Sequence, residues 1–285
     1  MLRPFERSSA SVGDRSAMRA KAGVARSIAL AQAARRQGRF GAARQRLDAA
    51  LAQACRLGGP SHPLVAVVLN QLGMLGKDTG NFAAAQRHYR RALAIVRRHP
   101  AGAPLELADL YHNLGGLEHA RGRFTVGEPL ARRAVRLRAR RHGADATVTW
   151  LDRTALAALL DGLGRFRESE AIYRAALVRF RRRLGADHYE VAVTLNNLGC
   201  ACAEQGRIVE ASRMLRRALA LKERHFGKLH VEVAVTLNNL AATLEQAGRA
   251  EEARALWRRA AAIFTRRLGR THPSTRVCLA NLQPS

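Results

Sequence analysis

Acidic side chains are scarce in this chain: 22 Asp and Glu stand against 49 Lys and Arg, a formal charge of +27 over 285 residues. Such an imbalance exceeds what solubility requires and points to acidic surfaces, nucleic acid or anionic lipid, as possible partners. Arginine supplies 45 of the 49 cations, and that bias, with abundant alanine, also fits GC-rich coding. Aromatic residues make up only 5%, which leaves few of the stacking platforms that single-strand binding uses. The four cysteines, Cys55, Cys200, Cys202 and Cys278, show no CxxC spacing, which argues against a disulfide framework or a thiolate metal site. They are expected to be reduced packing residues. No run of 18 apolar residues exists, so no membrane-spanning helix is expected. The first twenty residues contain no apolar stretch of secretory length, and a cytoplasmic protein is expected. Glu6 and Asp14 also speak against an organellar presequence.

What the chain has instead is a period. Gly38, Gly80, Gly122, Gly164, Gly206 and Gly248 recur every 42 residues. Leu30, Leu72, Leu114, Leu156, Leu198, Leu240 and Leu282 keep the same step, as do Ala50, Ala92, Ala134, Ala176, Ala218 and Ala260. A unit of this length cannot bury a core alone and stacks on its neighbours, which defines a solenoid with extended binding surfaces.

The fifth unit shows the pattern most clearly. Asp187-His188-Tyr189-Glu190 reads as a capping box at a helix start, with Asp187 capping and Glu190 reaching back. Val191, Leu195, Leu198 and Cys202 then mark the buried stripe of a first helix, helix A, which Gly206 ends in the left-handed conformation. Ala211, Leu215, Ala218 and Leu219 form the stripe of helix B, closed by Phe226-Gly227. Small residues at 199, 211 and 218 allow the two helices to approach closely.

These residues resemble the tetratricopeptide repeat (TPR) family, in the Leu198-Gly199 pair of helix A and in Ala211 followed four residues later by Leu215. The column where a shorter TPR carries proline reads Arg97, Ala139, Arg181, Glu223 and Thr265. None of these stops a helix, so the additional residues are expected to lengthen helix B. The 42-residue length, the run from Val191 to Leu198 repeated at Val233 to Leu240, and Arg217-Ala218-Leu219 look like the kinesin light chain type of TPR. Glu128-Pro129-Leu130 is similar to that family's helix B start, where proline is tolerated. The resemblance covers about residues 20–283. It implies an all-α, right-handed α-solenoid of six TPR-like helix pairs with a short C-terminal capping helix. The domain boundaries expected are a basic, disordered N-terminal arm at 1–19, the six-repeat solenoid at 20–272 and the cap at 273–285.

Charge separates by helix. In units two to six the helix A windows hold ten acidic and three basic residues, and the helix B windows 31 basic and seven acidic. In the family that this chain resembles, helix A lines the concave groove and helix B the outer face, so the two surfaces are expected to differ in sign. Arg90, Arg91, Arg132, Arg133, Arg216, Arg217, Arg258 and Arg259 form one basic outer column. A second group at helix B ends, such as Arg181-Arg182-Arg183, opposes the negative end of the helix dipole.

On helix A, the positions before the leucine column carry Asn70, Gln71, Asn113, Asn196, Asn197, Asn238 and Asn239, interrupted by Thr154-Ala155. Each amide both donates and accepts. Such a ladder suits an extended peptide backbone, and the resemblance gives that role to Asn113, Asn197 and Asn239; the other reading of these amides is a bridge between neighbouring helices. His62, His188, His230 and His272 come from different helix starts and cannot converge on one metal ion. Gly73–Asp78 lacks the length and the Ser/Thr of a phosphate-binding loop. No catalytic set has supporting context, so neither an enzyme nor a cofactor is expected. The function expected is a protein-interaction scaffold that holds a peptide or extended partner segment in the helix A groove. The alternative is a nucleic-acid-associated solenoid that binds phosphates through helix B.

Overall fold

The computed structural model describes residues 12–99 and 107–282, and these fold as two compact units, Met1–Glu106 and Leu107–Ser285. The first unit contains α1 (Val12–Arg36), α2 (Phe40–Gly58), α3 (Pro63–Asp78) and α4 (Phe82–Arg98). The second contains α5 (Leu107–Ala120), α6 (Phe124–His142), α7 (Thr147–Gly162), α8 (Phe166–Leu184), α9 (Tyr189–Glu204), α10 (Ile208–Phe226), α11 (Val231–Gln246), α12 (Ala250–Leu268) and α13 (Pro273–Ala280). Odd-numbered helices are helix A and even-numbered ones helix B. Helices α6, α8, α10 and α12 each run 19 residues, straight through the column where a shorter repeat would stop.

The turn between the two helices of a pair is set by its glycine. Gly206 has φ +75°, and the other five glycines of that column lie between +68° and +74°; side chains other than glycine pay a steric penalty there. The Arg207 N–H then returns to the Cys202 carbonyl at 2.9 Å and closes the turn. A second glycine column ends helix B at Gly59, Gly143, Gly185, Gly227 and Gly269, each with positive φ and extended ψ. Position 101 of that column is Ala, outside the described residues.

Helix A starts differ from the expected capping box. The N-cap of α9 is His188, not Asp187: its Nδ1 accepts the Glu190 N–H at 3.2 Å. Asp187 instead pairs with Arg224 at 3.0 Å. His62, His230 and His272 cap α3, α11 and α13 in the same way, which accounts for the histidine column. Pro129 also differs: it lies within α6, in the sixth position rather than the first turn, so Thr125 has no i+4 N–H to accept. At the N-terminus, α1 reaches back to Val12, into the segment expected as a disordered arm; residues 1–11 lie outside the described residues.

Packing within a pair depends on small side chains. A Cβ at Gly199 would stand 2.8 Å from Leu215 Cγ and 3.2 Å from the Ala211 carbonyl, so the glycine permits the close crossing of α9 and α10. At Gly73 an added Cβ would enter the ring of Tyr89. In the second unit the core spans successive layers: Trp150, Tyr173, Phe180, Val191 and Leu198 form one cluster, and Leu215, Val233, Leu240, Trp257 and Phe264 another. Each buries surface from consecutive pairs, which is why no pair stands alone. The four cysteines are free thiols, and burial pushes Cys200 up to about 12.

Candidate functional site

In the second unit, each helix A packs against its own helix B and also touches the neighbouring helices A, α5 with α7, α7 with α9 and α9 with α11, while consecutive helices B make no comparable contact. Helix A therefore lies on the inner side of the stack. After this packing, one stripe of each helix A is left at least partly exposed. On α9 it is Glu190, Val193, Asn197, Cys200 and Glu204; on α11, Glu232, Val235, Asn239 and Ala242. The α7 stripe is Val148, Leu151, Ala155 and Ala158, and the α5 stripe is Asp109, His112, Asn113 and Gly116. Side by side, these stripes make an apolar row through Leu151, Val193 and Val235 beside an amide row through Asn113, Asn197 and Asn239.

The expected amide ladder divides into two sets. Asn70 and Asn196 are each only 5% exposed, behind the surface rather than on it. Asn196 spends both amide atoms inside the protein: its Oδ1 accepts from Asn239 Nδ2 at 3.2 Å, and its Nδ2 donates to Asn197 Oδ1 at 3.1 Å. Asn197 also bonds the Tyr173 side chain. These bonds join α8, α9 and α11, so the bridging role weighed from the sequence is present. Asn113, Asn197, Asn238, Asn239 and Gln71 remain half-exposed.

A charged cluster not foreseen from the sequence lies at one end of this face. Arg138 of α6, 9% exposed, bonds Asp109 at 2.8 Å and Asp152 at 3.0 Å, and Asp152 also meets His112 Nδ1 at 2.8 Å. In the next layers Lys222, 2% exposed, reaches Glu232 at 2.9 Å. Glu232 is held below the usual carboxylate range by the Lys222 ammonium and its hydrogen bond, which together overcome burial.

The outer arginines are largely engaged. Arg91 donates to the Pro60 carbonyl, Arg132 pairs with Glu128, Arg133 lies 4.7 Å over the Tyr111 ring, Arg216 lies 3.7 Å from Glu252 and Arg259 pairs with Glu223 at 2.5 Å. Arg90, Arg217 and Arg258 are exposed. Adjacent helices B are tied by a repeated ion pair: Arg174 to Glu210 at 2.8 Å and Arg216 to Glu252, each 36 residues on, with Arg207 reaching back to Glu170. The arginines at 174 and 207 hold Glu170 down at about 2 despite partial burial.

Among the described residues no group of three or more His, Cys, Asp and Glu could hold a metal ion, and no helix is long and apolar enough to cross a membrane. A crevice of about 230 Å³ in the first unit, lined by Phe40, Arg44, Leu72, Leu75, Asn81 and His88, is smaller than the usual small-molecule pocket.

Stacked antiparallel helix pairs with a left-handed glycine turn and one inner face per unit define a helical repeat protein. The tetratricopeptide repeat profiles match residues 23–98, 107–145, 150–224 and 232–282, and the chain belongs to that family. No curated protein matches the sequence. Among solved structures, BtubC (BKLC) from P. vanneervenii is 22% identical, with 96% of this chain and 95% of that one covered and a TM-score of 0.53. NprR in complex with its cognate peptide NprX gives a TM-score of 0.74 at 14% identity, covering 98% of this chain and 74% of that one. A Rap protein complexed with competence and sporulation factor gives 0.63 at 12% identity, over 91% of this chain and 73% of the other. At these identities the likeness is one of fold.

Proposed function

We propose that the chain is a non-enzymatic protein-interaction scaffold, and that the inner face of the second unit holds a peptide or extended partner segment. The observation that carries this reading is the paired row on α5, α7, α9 and α11: half-exposed Leu151, Val193 and Val235 beside half-exposed Asn113, Asn197 and Asn239. An apolar row takes alternate side chains of an extended segment, and the amides supply donors and acceptors to its backbone. Asn196 braces the amides from behind. That NprR and a Rap protein of similar fold were solved with a peptide and with competence and sporulation factor supports the same kind of partner here.

The test is selection of a random linear peptide library on the whole chain, followed by calorimetric titration of a selected peptide. Val193→Asp and Asn113→Ala should each weaken binding about tenfold, since an apolar contact or a buried hydrogen bond is worth about 1–2 kcal/mol. Unchanged affinity in both would remove the groove from the reading. Phosphate binding through the outer arginines has less behind it, because Arg91, Arg132, Arg133, Arg216 and Arg259 already meet partners within the chain. Nucleic-acid affinity that falls steeply with salt would favour that alternative.

A further inference from the structure

Near the C-terminal end of each helix B of the second unit sits one buried side chain of a single 42-residue column: Arg138, Phe180, Lys222 and Phe264, all at most 9% exposed. The two cations are matched. Arg138 is clamped by Asp109 and Asp152, and Lys222 bonds Glu232, ten residues on and second in α11. The same ten-residue step from Phe180 arrives at Glu190, second in α9. Here the carboxylate is kept and the cation is replaced by a phenyl ring.

Glu190 is half-buried; its N–H donates to His188 Nδ1 and its carbonyl accepts from the Thr194 hydroxyl, but its carboxylate has no hydrogen-bonding or ion-pair partner among the described residues. The start of a helix favours an anion, yet burial outweighs that and pushes the Glu190 carboxyl up. The charged groups that act on it are His112, itself bonded to Asp152, and Glu232, of like sign. Neither neutralises it. Glu190 also opens the partly exposed stripe of α9, with Val193 one turn along and Leu151 at the matching position of α7.

We propose that Glu190 is a cation-reading subsite of the inner face, and that the partner segment presents a lysine or arginine there, its apolar stem lying over Leu151 and Val193. The inference rests on the groove reading above and adds the chemistry of the ligand. A charge-assisted hydrogen bond is among the stronger recognition contacts, and the charge of the helix A windows, ten acidic against three basic residues, favours the same partner.

The experiment is parallel selection of one random dodecapeptide library on the whole wild-type chain and on Glu190→Gln. Wild type should enrich peptides with a basic residue at a fixed offset from an apolar one; Glu190→Gln should keep the apolar preference and lose the basic one. A synthetic wild-type-selected peptide should bind Glu190→Gln about tenfold more weakly, and its Lys→norleucine analogue should bind both proteins equally. Thermal unfolding of Glu190→Gln at or above the wild-type midpoint separates this loss from misfolding. Peptides selected without a basic residue, or an unchanged preference in Glu190→Gln, overturn the subsite and leave the groove standing. Recovery of no peptide by either protein overturns both.

Discussion

At the residue scale, the turn glycines and two carboxyl groups carry the sharpest expectations. Gly206 holds φ +75° with open space around it, so an added methyl group meets backbone strain and no steric neighbour. Gly206→Ala should therefore lower stability by about 1–2 kcal/mol, read as a shift in urea midpoint without a change in slope. Asp161 offers a pH test. Burial raises its carboxyl to about 6, against the opposing hydrogen bonds from Ser169 and Tyr173. The unfolded chain releases this proton near the ordinary value of about 3.9, so between roughly pH 4 and 6 the folded state binds the proton more tightly. Stability from this group is greatest at low pH and is lost as pH rises through the folded pKa. Glu170 works in the opposite sense at lower pH: held at about 2, it stabilises above its unfolded value and loses that contribution as pH falls. Comparing wild type with Asp161→Asn isolates the first effect; a wild-type stability that does not fall relative to the variant between pH 4 and 6 would contradict it.

At the element scale, buried charges between layers are the weak points. Lys222 is almost fully enclosed and depends on Glu232. Removing one partner leaves a buried charge, and Glu232→Gln should cost about 3 kcal/mol or more, whereas Lys222→Met with Glu232→Gln should recover most of the loss. Chemical denaturation of the three variants measures both. The ion pairs of the outer face behave differently. Glu170 meets Arg174 and Arg207 at the surface, with the arginines 47% and 36% exposed, so Glu170→Gln should cost about 1 kcal/mol or less, and less still at high salt. The helix pairs and the left-handed turn inside each followed from the columns at 38, 30 and 50, and the long helix B from the lack of a proline at 97, 139, 181, 223 and 265, whereas at the helix B ends only Phe226-Gly227 had been read. The histidine caps were visible as a column, but Asp187 looked the better cap by residue type. The Arg138–Asp152 and Lys222–Glu232 contacts join different helices, and no local spacing rule separates them from the other arginines and carboxylates. Asn196 and Asn197 are adjacent and alike in sequence; only packing buries the first and leaves the second half-exposed.

At the scale of the whole molecule, the chain divides into two compact units between Glu106 and Leu107. Each unit has its own layered pairs, so a fragment of residues 107–285 should fold alone and unfold cooperatively by circular dichroism; a fragment without helical signal or a transition would show that the division is not one of stability.

The ion pairs between helices B join positions 36 residues apart in a chain whose period is 42. Each bond therefore depends on register rather than on absolute position. Excision of one full period from the second unit would bring Arg132 opposite Glu210, the same geometry that Arg174 now makes with it. The gene for such a chain can gain or lose whole periods by unequal recombination without inventing a new junction, and the length of the inner face becomes a heritable variable separate from the chemistry of its rows.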